Sequence, residues 1–231
     1  MKPAPPRSIL VVATRRIGDV LLTTPLIRSL ARAYPAAAID VLVYSGTARA
    51  LEGNPDCRAV IEVAERPARG EHARLARRIF RRYDLALATQ QSDRSHAYAW
   101  LAAPRRIGLV PDMSWSSLWK RLSCEAYELL DDVDTHTVVQ NLRLADRLGI
   151  TRCYEVVAPR IEENKAIEKP YAVVHPLALY VYNSWTRDGW KALIGWLRAQ
   201  GLQVVLSGAS AQERAYCAAL AVEPGVTDLS G

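Results

Sequence analysis

The residue best placed to do chemistry is Asp19, which follows the short basic turn formed by Arg15, Arg16, Ile17 and Gly18. An apolar run precedes this turn and an apolar-periodic segment follows it, which predicts a strand, a turn and a helix N-terminus. Open α/β sheets bind their ligands at such positions, and a helix N-terminus favours an ionised carboxylate. Two interpretations of Asp19 stay open: it caps the helix, or it is a carboxylate kept charged to act as a base.

A second group of polar residues follows a later apolar run, residues 85–89. The group runs from Gln90 through Gln91, Ser92 and Asp93 to Arg94. Because the carboxyl ends of parallel strands meet at one edge of a sheet, we expect this group to border the same crevice as Asp19.

Predicted strands and helices alternate along the chain, which is typical of parallel, doubly wound sheets. Strands are predicted at residues 8–14, 39–44, 59–63, 85–89 and 106–110, and again at 171–175 and 203–206. Between the two sets, residues 156–169 carry Pro159, many charges and no clear period. We therefore predict a first domain at 1–155, a linker at 156–169 and a second domain at 170–231. With only two strand–helix units, the second domain is expected to be incomplete.

Two helix boundaries near the predicted strand ends can be proposed from capping signals. Pro25 suits the first position of a helix, with Thr24 as its cap. A longer helix is predicted over residues 135–148, capped by Thr135 and ended by Gly149.

Two further segments have patterned surfaces. The helix predicted over 71–83 places Leu75, Ala76, Ile79 and Phe80 on its inner face. Its other face carries Arg74, Arg77, Arg78, Arg81 and Arg82. These arginines form either a solvated face or a surface that meets anionic lipid or phosphorylated sugar.

A shorter apolar stripe follows the fifth predicted strand. The stripe is formed by Trp115, Leu118, Trp119 and Leu122, with Lys120 and Arg121 on the opposite side. It either packs on its own domain or forms a flap that faces a membrane or an acceptor.

Composition narrows the class of protein. The chain has 231 residues and a net charge of +6, from 30 basic residues, mostly arginine, and 24 acidic ones. Guanidinium groups suit phosphate and carboxylate partners, and nothing in the pattern calls for nucleic acid. The four scattered cysteines are typical of reduced thiols, and no apolar run approaches the roughly 18 residues of a membrane span. We expect a soluble, cytoplasmic protein.

Several enzyme classes lack their sequence signature. No GxGxxG follows the first strand, and the chain has no GxxxxGK[ST], no HExxH and no GxSxG. The features that remain to indicate a function are a carboxylate after the first strand, polar residues after later strands, and two α/β halves. This combination fits group transfer in a cleft, with a base on one half and a nucleotide-linked donor on the other.

Residues 15–27, RRIGDVLLTTPLI, resemble the opening signature of the glycosyltransferase family 9 heptosyltransferases, which transfer heptose from ADP-heptose to lipopolysaccharide. Shorter similarities follow in the family's order. They are Ala33-Tyr34-Pro35, His136, Leu148-Gly149-Ile150, and Val174-His175-Pro176 before Trp185. The resemblance thus extends over nearly the whole chain.

The resemblance implies a GT-B fold of two Rossmann-like doubly wound domains, the second incomplete in this chain, and an inverting transfer that needs no metal or other cofactor. Asp19 matches the family's proposed base. The donor would be a nucleotide sugar, ADP-heptose, and the acceptor a lipid A–Kdo-type or core oligosaccharide at the cytoplasmic face of the inner membrane. Acceptor-binding residues would be Arg15, Arg16, Gln90, Arg94, His136 and Gln140. Donor-binding residues would be Gly18, His175, Asn183, Gly208 and Glu213.

The chain departs from the family pattern in the loop before Trp185. Asn183 stands where the family usually has a lysine, and Leu179 where an arginine is often found. The family's later DTGxxH-type loop is absent from this sequence. A second hypothesis is therefore a truncated, non-catalytic family member that binds an anionic glycolipid or a partner protein. Glu213 also has a simpler interpretation, as a solvated helix residue.

Overall fold

The computed structural model describes residues 4–111, 114–160, 167, 170–177, 184–222 and 224–231. The chain divides into two compact units, Met1–Ile161 and Glu162–Gly231. This boundary falls in the segment predicted as a linker, of which residues 161–166 and 168–169 lie outside the described part.

Unit 1 alternates strands with helices. Its strands are β1 (Ser8–Ala13), β2 (Ala38–Tyr44), β3 (Ala59–Val63), β4 (Leu85–Ala88), β5 (Arg105–Val110) and β6 (Ala126–Leu129). Its helices are α1 (Ile17–Leu21), α2 (Thr24–Ala33), α3 (Arg69–Ile79), α4 (Asp93–Ala102), α5 (Leu118–Ser123) and α6 (Thr137–Leu148). Two 3₁₀ helices lie at Ala48–Leu51 and Trp115–Ser117.

All six strands of unit 1 pair in parallel, in the order β3-β2-β1-β4-β5-β6. The chain winds outward from β1 to β3, then returns to the other side of β1 and continues to β6. The strand order therefore reverses between β1 and β4, where Ile9 is in register with Leu85. In doubly wound sheets the crevice at this reversal is the place where ligands bind.

Helices cover both faces of this sheet because side chains of a strand alternate between its faces. Ile9 and Val11 pack in one cluster that contains residues of α2 and α6. Leu10 and Val12 pack in the opposite cluster, with residues of α3 and α4. The strands are consequently apolar on both sides, as their continuous apolar runs predict.

Among the described strands of unit 1, Asp40 is the charged residue that is buried. Asp40 of β2 is 4% exposed, and it accepts hydrogen bonds from Arg58 Nε at 2.8 Å and Arg58 Nη2 at 2.5 Å. The Tyr83 hydroxyl donates a third bond to it at 2.7 Å. Burial and the bond to Asp40 raise the pKa of Tyr83 well above its ordinary value. Asp40 is a structural carboxylate whose buried charge is paired and hydrogen-bonded.

Unit 2 has a smaller sheet of the same kind. Its strands are β7 (Tyr171–Val174), β8 (Gln203–Leu206) and β9 (Val226–Asp228), and its helices are α7 (Arg187–Ala199) and α8 (Ala211–Leu220). The strands pair in parallel in the order β7-β8-β9. Its core is formed by Val174, Ile194, Val204, Leu206, Cys217 and Leu220.

Several local predictions need correction. Thr23 precedes α2, so Thr24 is the first helical residue and Pro25 the second. Helix α6 is capped by His136 instead of Thr135, because His136 Nδ1 accepts a hydrogen bond from the Val138 amide at 3.3 Å. Phe80 is 58% exposed instead of buried, since α3 ends at Ile79 and the chain turns away.

Two strands were missed by the sequence analysis. β6 lies at an edge of its sheet and is only partly buried, and β9 has three residues. Among the described helices, none combines the length and the apolar character needed to cross a bilayer.

Candidate active site

Asp19 lies at the carboxyl edge of the unit 1 sheet, in the loop and helix that follow β1. It is the third residue of α1, and Arg16 occupies the N-cap position. The cap interpretation of Asp19 is therefore wrong in its strict form, although the carboxylate remains in the first turn, where its negative charge is favoured. The Asp19 side chain is 21% exposed, and its Oδ1 lies 3.6 Å from Arg15 Nη1. A partly exposed carboxylate in this position can accept a hydrogen bond from a ligand hydroxyl and then accept its proton.

The loop that carries Asp19 is joined to the start of α4 by hydroxyl groups. Thr14, at the end of β1, is 4% exposed, and its Oγ1 lies 2.8 Å from Ser95 Oγ. Ser92 caps α4 by accepting a hydrogen bond from the Ser95 amide at 3.2 Å. The pairing of Thr14 with Ser95 could not be predicted, because a Thr and a Ser 81 residues apart in the sequence give no signal of contact.

Gln90 and Arg94, which were predicted to bind the acceptor, both follow β4, and they differ in their contacts. Arg94 donates to the carbonyl of Glu65 and, at 3.3 Å, to the Tyr44 hydroxyl, and its guanidinium lies 5.9 Å from the Tyr44 ring. The structure thus gives Arg94 partners at the end of β2 and on the loop after β3. Gln90 is 8% exposed and makes no hydrogen bond to any described residue. Its amide is the more available of the two groups.

A cavity of about 560 Å³ adjoins the same loop. It lies between α1 and the 3₁₀ helix that follows β2. Its lining is mainly apolar, formed by Ile17, Gly18, Leu21, Ala50 and Pro159, with Arg49 and Glu52 as the charged members. Sequence reasoning did not single out Arg49 or Glu52, although both follow a strand that ends at the same edge as β1.

His136 and Gln140 lie at the beginning of α6 and differ in their availability. His136 is exposed, with Nδ1 used in the cap. Gln140 is 2% exposed; its Oε1 accepts from the Asp131 amide at 2.9 Å, and its Nε2 donates to the Leu129 carbonyl at 3.1 Å. Gln140 therefore holds the loop after β6 in place. Its role in acceptor binding stays a prediction.

Three of the predicted donor-binding residues lie together in unit 2. Glu213 Oε1 lies 3.7 Å from His175 Nε2, and His175 Nδ1 lies 3.4 Å from Ser207 Oγ. A Cβ on Gly208 would lie 2.7 Å from the Cβ of Glu213, so this turn requires glycine. Asn183 and Leu179 lie outside the described residues.

Glu213 completes a capping box at the start of α8. Its Oε2 accepts from the amides of Ser210 and Ala209 at 2.7 and 2.8 Å, while Ser210 Oγ accepts from the Glu213 amide. These bonds, that of Ser210 first, lower the pKa of Glu213. Glu213 is thus a partly exposed helix residue, as the simpler interpretation had it, and its carboxylate also holds the turn after β8 in place.

The described residues contain no group of three or more His, Cys, Asp and Glu side chains that could hold a metal ion. Gly18 lies in unit 1 and the other predicted donor-binding residues in unit 2.

The fold and the two sets of strand-end residues define a class: an α/β protein of the GT-B type, with two Rossmann-like units. Residues 72–230 match glycosyltransferase family 9 (heptosyltransferase), so the chain belongs to this family. The match begins after residues 15–27, the segment on which the resemblance was first based.

Known relatives agree with the family assignment. Lipopolysaccharide heptosyltransferase 3 of Escherichia coli (strain K12) is 28% identical in an alignment of 218 positions, which covers 86% of this chain and 62% of that protein. The chain thus spans less than two thirds of this relative's length.

Solved structures show the shared fold. Escherichia coli heptosyltransferase WaaC with ADP-2-deoxy-2-fluoro heptose is similar with a TM-score of 0.77 at 22% identity, over 96% of this chain and 76% of that one. The family 9 glycosyltransferase of Veillonella parvula DSM 2008 has a TM-score of 0.81 at 18% identity, over 97% and 70%.

Proposed function

We propose that this chain carries out inverting, metal-independent transfer of heptose from ADP-heptose to a lipopolysaccharide inner-core acceptor. The observation that supports it most is the position of Asp19, a partly exposed carboxylate at the strand-order reversal of unit 1. Family membership supports the reaction class. For such an acceptor, we propose that the protein works in the cytoplasm, at the cytoplasmic face of the inner membrane.

In the proposed reaction the Asp19 carboxylate accepts the proton of an acceptor hydroxyl. The hydroxyl oxygen attacks the anomeric carbon of the heptose from the face opposite ADP, and the bond between that carbon and the ADP oxygen breaks. Configuration at the anomeric carbon inverts because the attack and the departure occur on opposite faces. Arg15, 3.6 Å from the carboxylate, holds it in place and offers a cation to an anionic acceptor.

On the donor side, His175 and the turn at Gly208 are proposed to receive the nucleotide. The Glu213 carboxylate beside them is already bonded to two backbone amides, which suits it to accept from a nucleoside hydroxyl without moving. Departure of ADP would be stabilised by backbone dipoles and basic side chains. Asn183 brings no charge, so we expect weaker stabilisation than a lysine would give.

The role of Asp19 is tested by comparing Asp19→Asn with Glu125→Gln in transfer assays with ADP-heptose and a heptose-free lipopolysaccharide. Loss of a general base lowers the rate roughly 10²–10⁴-fold. Glu125 is an exposed carboxylate that directly precedes β6, at the sheet edge opposite Asp19, so its variant should keep the wild-type rate. Equal rates in wild type and Asp19→Asn would refute the assignment.

The alternative, a non-catalytic member that binds an anionic glycolipid or a partner, is favoured by Leu179 and Asn183 at positions that are usually basic in the family. Calorimetric titration with ADP and with ADP-heptose separates the two. Micromolar binding supports the transferase, and absence of binding together with absence of transfer supports the alternative.

A further inference from the structure

The helix that carries Asp19 is too short to hold its own position. α1 has five residues, and of these only Val20 is buried. A single turn of helix is unstable by itself, because ordering its backbone costs more than its few hydrogen bonds return. The position of Asp19 therefore depends on the contacts that the rest of unit 1 makes with α1.

Three buried polar side chains bond to carbonyl groups at the carboxyl end of this helix. Thr23 Oγ1 donates to the carbonyl of Asp19 itself at 2.8 Å. Thr24 Oγ1 donates to the Leu21 carbonyl at 2.8 Å, and Asn141 Nδ2 of α6 donates to the next carbonyl at 3.3 Å. The two threonines are 0% exposed and the asparagine is 1% exposed. The backbone around Asp19 is thus held from inside the unit by side chains that do not reach the solvent.

Thr24 has the largest part in this arrangement because of the residue that follows it. In a continuous helix the amide of residue 25 would bond to the Leu21 carbonyl, but Pro25 has no amide hydrogen. The Thr24 hydroxyl supplies the missing donor, and it also accepts a hydrogen bond from the Val157 amide at 3.0 Å. One buried hydroxyl therefore joins α1 to residues 153–160, the last described segment of unit 1 before the unit boundary.

Ser29 repeats the bonding of Thr24 further along α2. Its Oγ donates to the Pro25 carbonyl at 2.8 Å and accepts from the Cys153 amide at 2.8 Å, and it is 1% exposed. Its carbonyl partner belongs to α2, however, and not to α1. Both hydroxyls attach the same segment to α2, but only the hydroxyl of Thr24 also bonds to the helix that carries Asp19.

We propose that Thr24 is a positioning residue for Asp19, which it keeps in place by fixing α1 against residues 153–160. This role rests on the proposed function, in which Asp19 is the base. A displacement of about 1 Å at a reacting group can cost about 100-fold in rate. Because Thr24 is buried and acts through α1, its hydroxyl should affect the chemical step and leave the affinity for substrate unchanged.

The test compares Thr24→Val, which removes the hydroxyl and keeps the shape of the side chain, with Ser29→Ala as the matched control. Each variant leaves one carbonyl and one amide without their hydroxyl partner, so the urea midpoints should fall by similar amounts. The kcat of Thr24→Val should fall about 10–100-fold with KM unchanged. Ser29→Ala should keep the wild-type kcat, and Thr24→Ser, which restores the hydroxyl, should recover most of it.

Hydrogen exchange gives a second readout that does not depend on activity. The Leu22 amide bonds to the Gly18 carbonyl at 2.9 Å and so reports on α1. Its exchange should be about five- to ten-fold faster in Thr24→Val than in Ser29→Ala. Equal exchange in the two variants overturns the positioning role.

Asp19→Asn separates failure of the positioning role from failure of the proposed function. If Asp19→Asn loses transfer, equal kcat values for Thr24→Val and Ser29→Ala overturn the role of Thr24 and leave the proposed function standing. A loss of kcat that Thr24→Ser does not recover also overturns it. If Asp19→Asn keeps the wild-type rate, or the wild-type chain shows no transfer, the proposed function fails and exchange alone decides. Faster Leu22 exchange in Thr24→Val then upholds the attachment of α1 by Thr24.

Discussion

Two buried tyrosines in the same core cluster should respond in opposite ways to loss of their hydroxyl groups. Tyr83 is 6% exposed and donates to Asp40 at 2.7 Å, whereas Tyr98 is 5% exposed and its hydroxyl has no partner among the described residues. A hydrogen bond to a charged group contributes about 1.5–3 kcal/mol. Because Asp40 keeps both bonds from Arg58, we expect Tyr83→Phe to lower the free energy of unfolding by about 1.5–2 kcal/mol. Tyr98→Phe removes an unsatisfied polar atom and should leave stability unchanged or raise it by up to about 1 kcal/mol.

The assay is urea unfolding followed by hydrogen exchange of the β2 and β4 amides, which reports on the unit that holds both tyrosines. With a urea dependence of about 2 kcal/mol/M, Tyr83→Phe should lower the midpoint by roughly 0.8–1 M. Above the ordinary pKa of tyrosine, wild-type stability should also fall as the unfolded chain loses a proton that the folded chain keeps, and Tyr83→Phe should lack this component. Equal midpoints for the two variants, or a larger loss in Tyr98→Phe, would refute this account of the Asp40 network.

Two further predictions concern glycines and a buried histidine. Gly208→Ala should destabilise unit 2 by about 1–3 kcal/mol, because the new Cβ would lie 2.7 Å from the Cβ of Glu213. Gly195→Ala, inside α7 with open space around it, should instead stabilise unit 2 by about 0.5–1 kcal/mol. Hydrogen exchange of the unit 2 amides measures both changes. Burial lowers the pKa of His96, which is 1% exposed with Nε2 2.9 Å from the Leu109 carbonyl. The stability from keeping His96 neutral is present above about pH 6.5 and is lost as pH falls below it, because the unfolded chain then binds a proton first. Urea midpoints of wild type should fall between pH 7.5 and 5, and those of His96→Gln should fall less; equal slopes would contradict the prediction.

Much of the fold follows from local sequence, because buried parallel strands are continuous apolar runs. β2 and β3 could be predicted in this way to within one residue. β6 could not, since an edge strand that is only partly buried has a weak apolar pattern. The outward face of α5 could not either, because it depends on the ion pair between Lys120 and Asp93, 27 positions earlier in the chain.

The candidate site shows the same division. Position at a strand end is a local property, so the locations of Asp19 and Arg94 at the sheet edge could be predicted. Their partners are set by packing: Arg94 bonds to the loop after β3, and Gln140 bonds to both sides of the turn after β6. Sequence reasoning can therefore nominate polar residues at a site, but it cannot separate those that face a ligand from those that fasten a loop.

The position of β1 in the middle of its sheet has a consequence for synthesis on the ribosome. β1 precedes both neighbouring strands, β2 and β4, in the chain. Leu85, the register partner of Ile9 in β4, is synthesised 76 residues after Ile9. At roughly 5–20 residues per second this takes about 4–15 s. During that time one edge of β1, which is almost wholly buried in the folded protein, has no partner strand, so the nascent segment that leads into Asp19 exposes apolar side chains that a chaperone can bind.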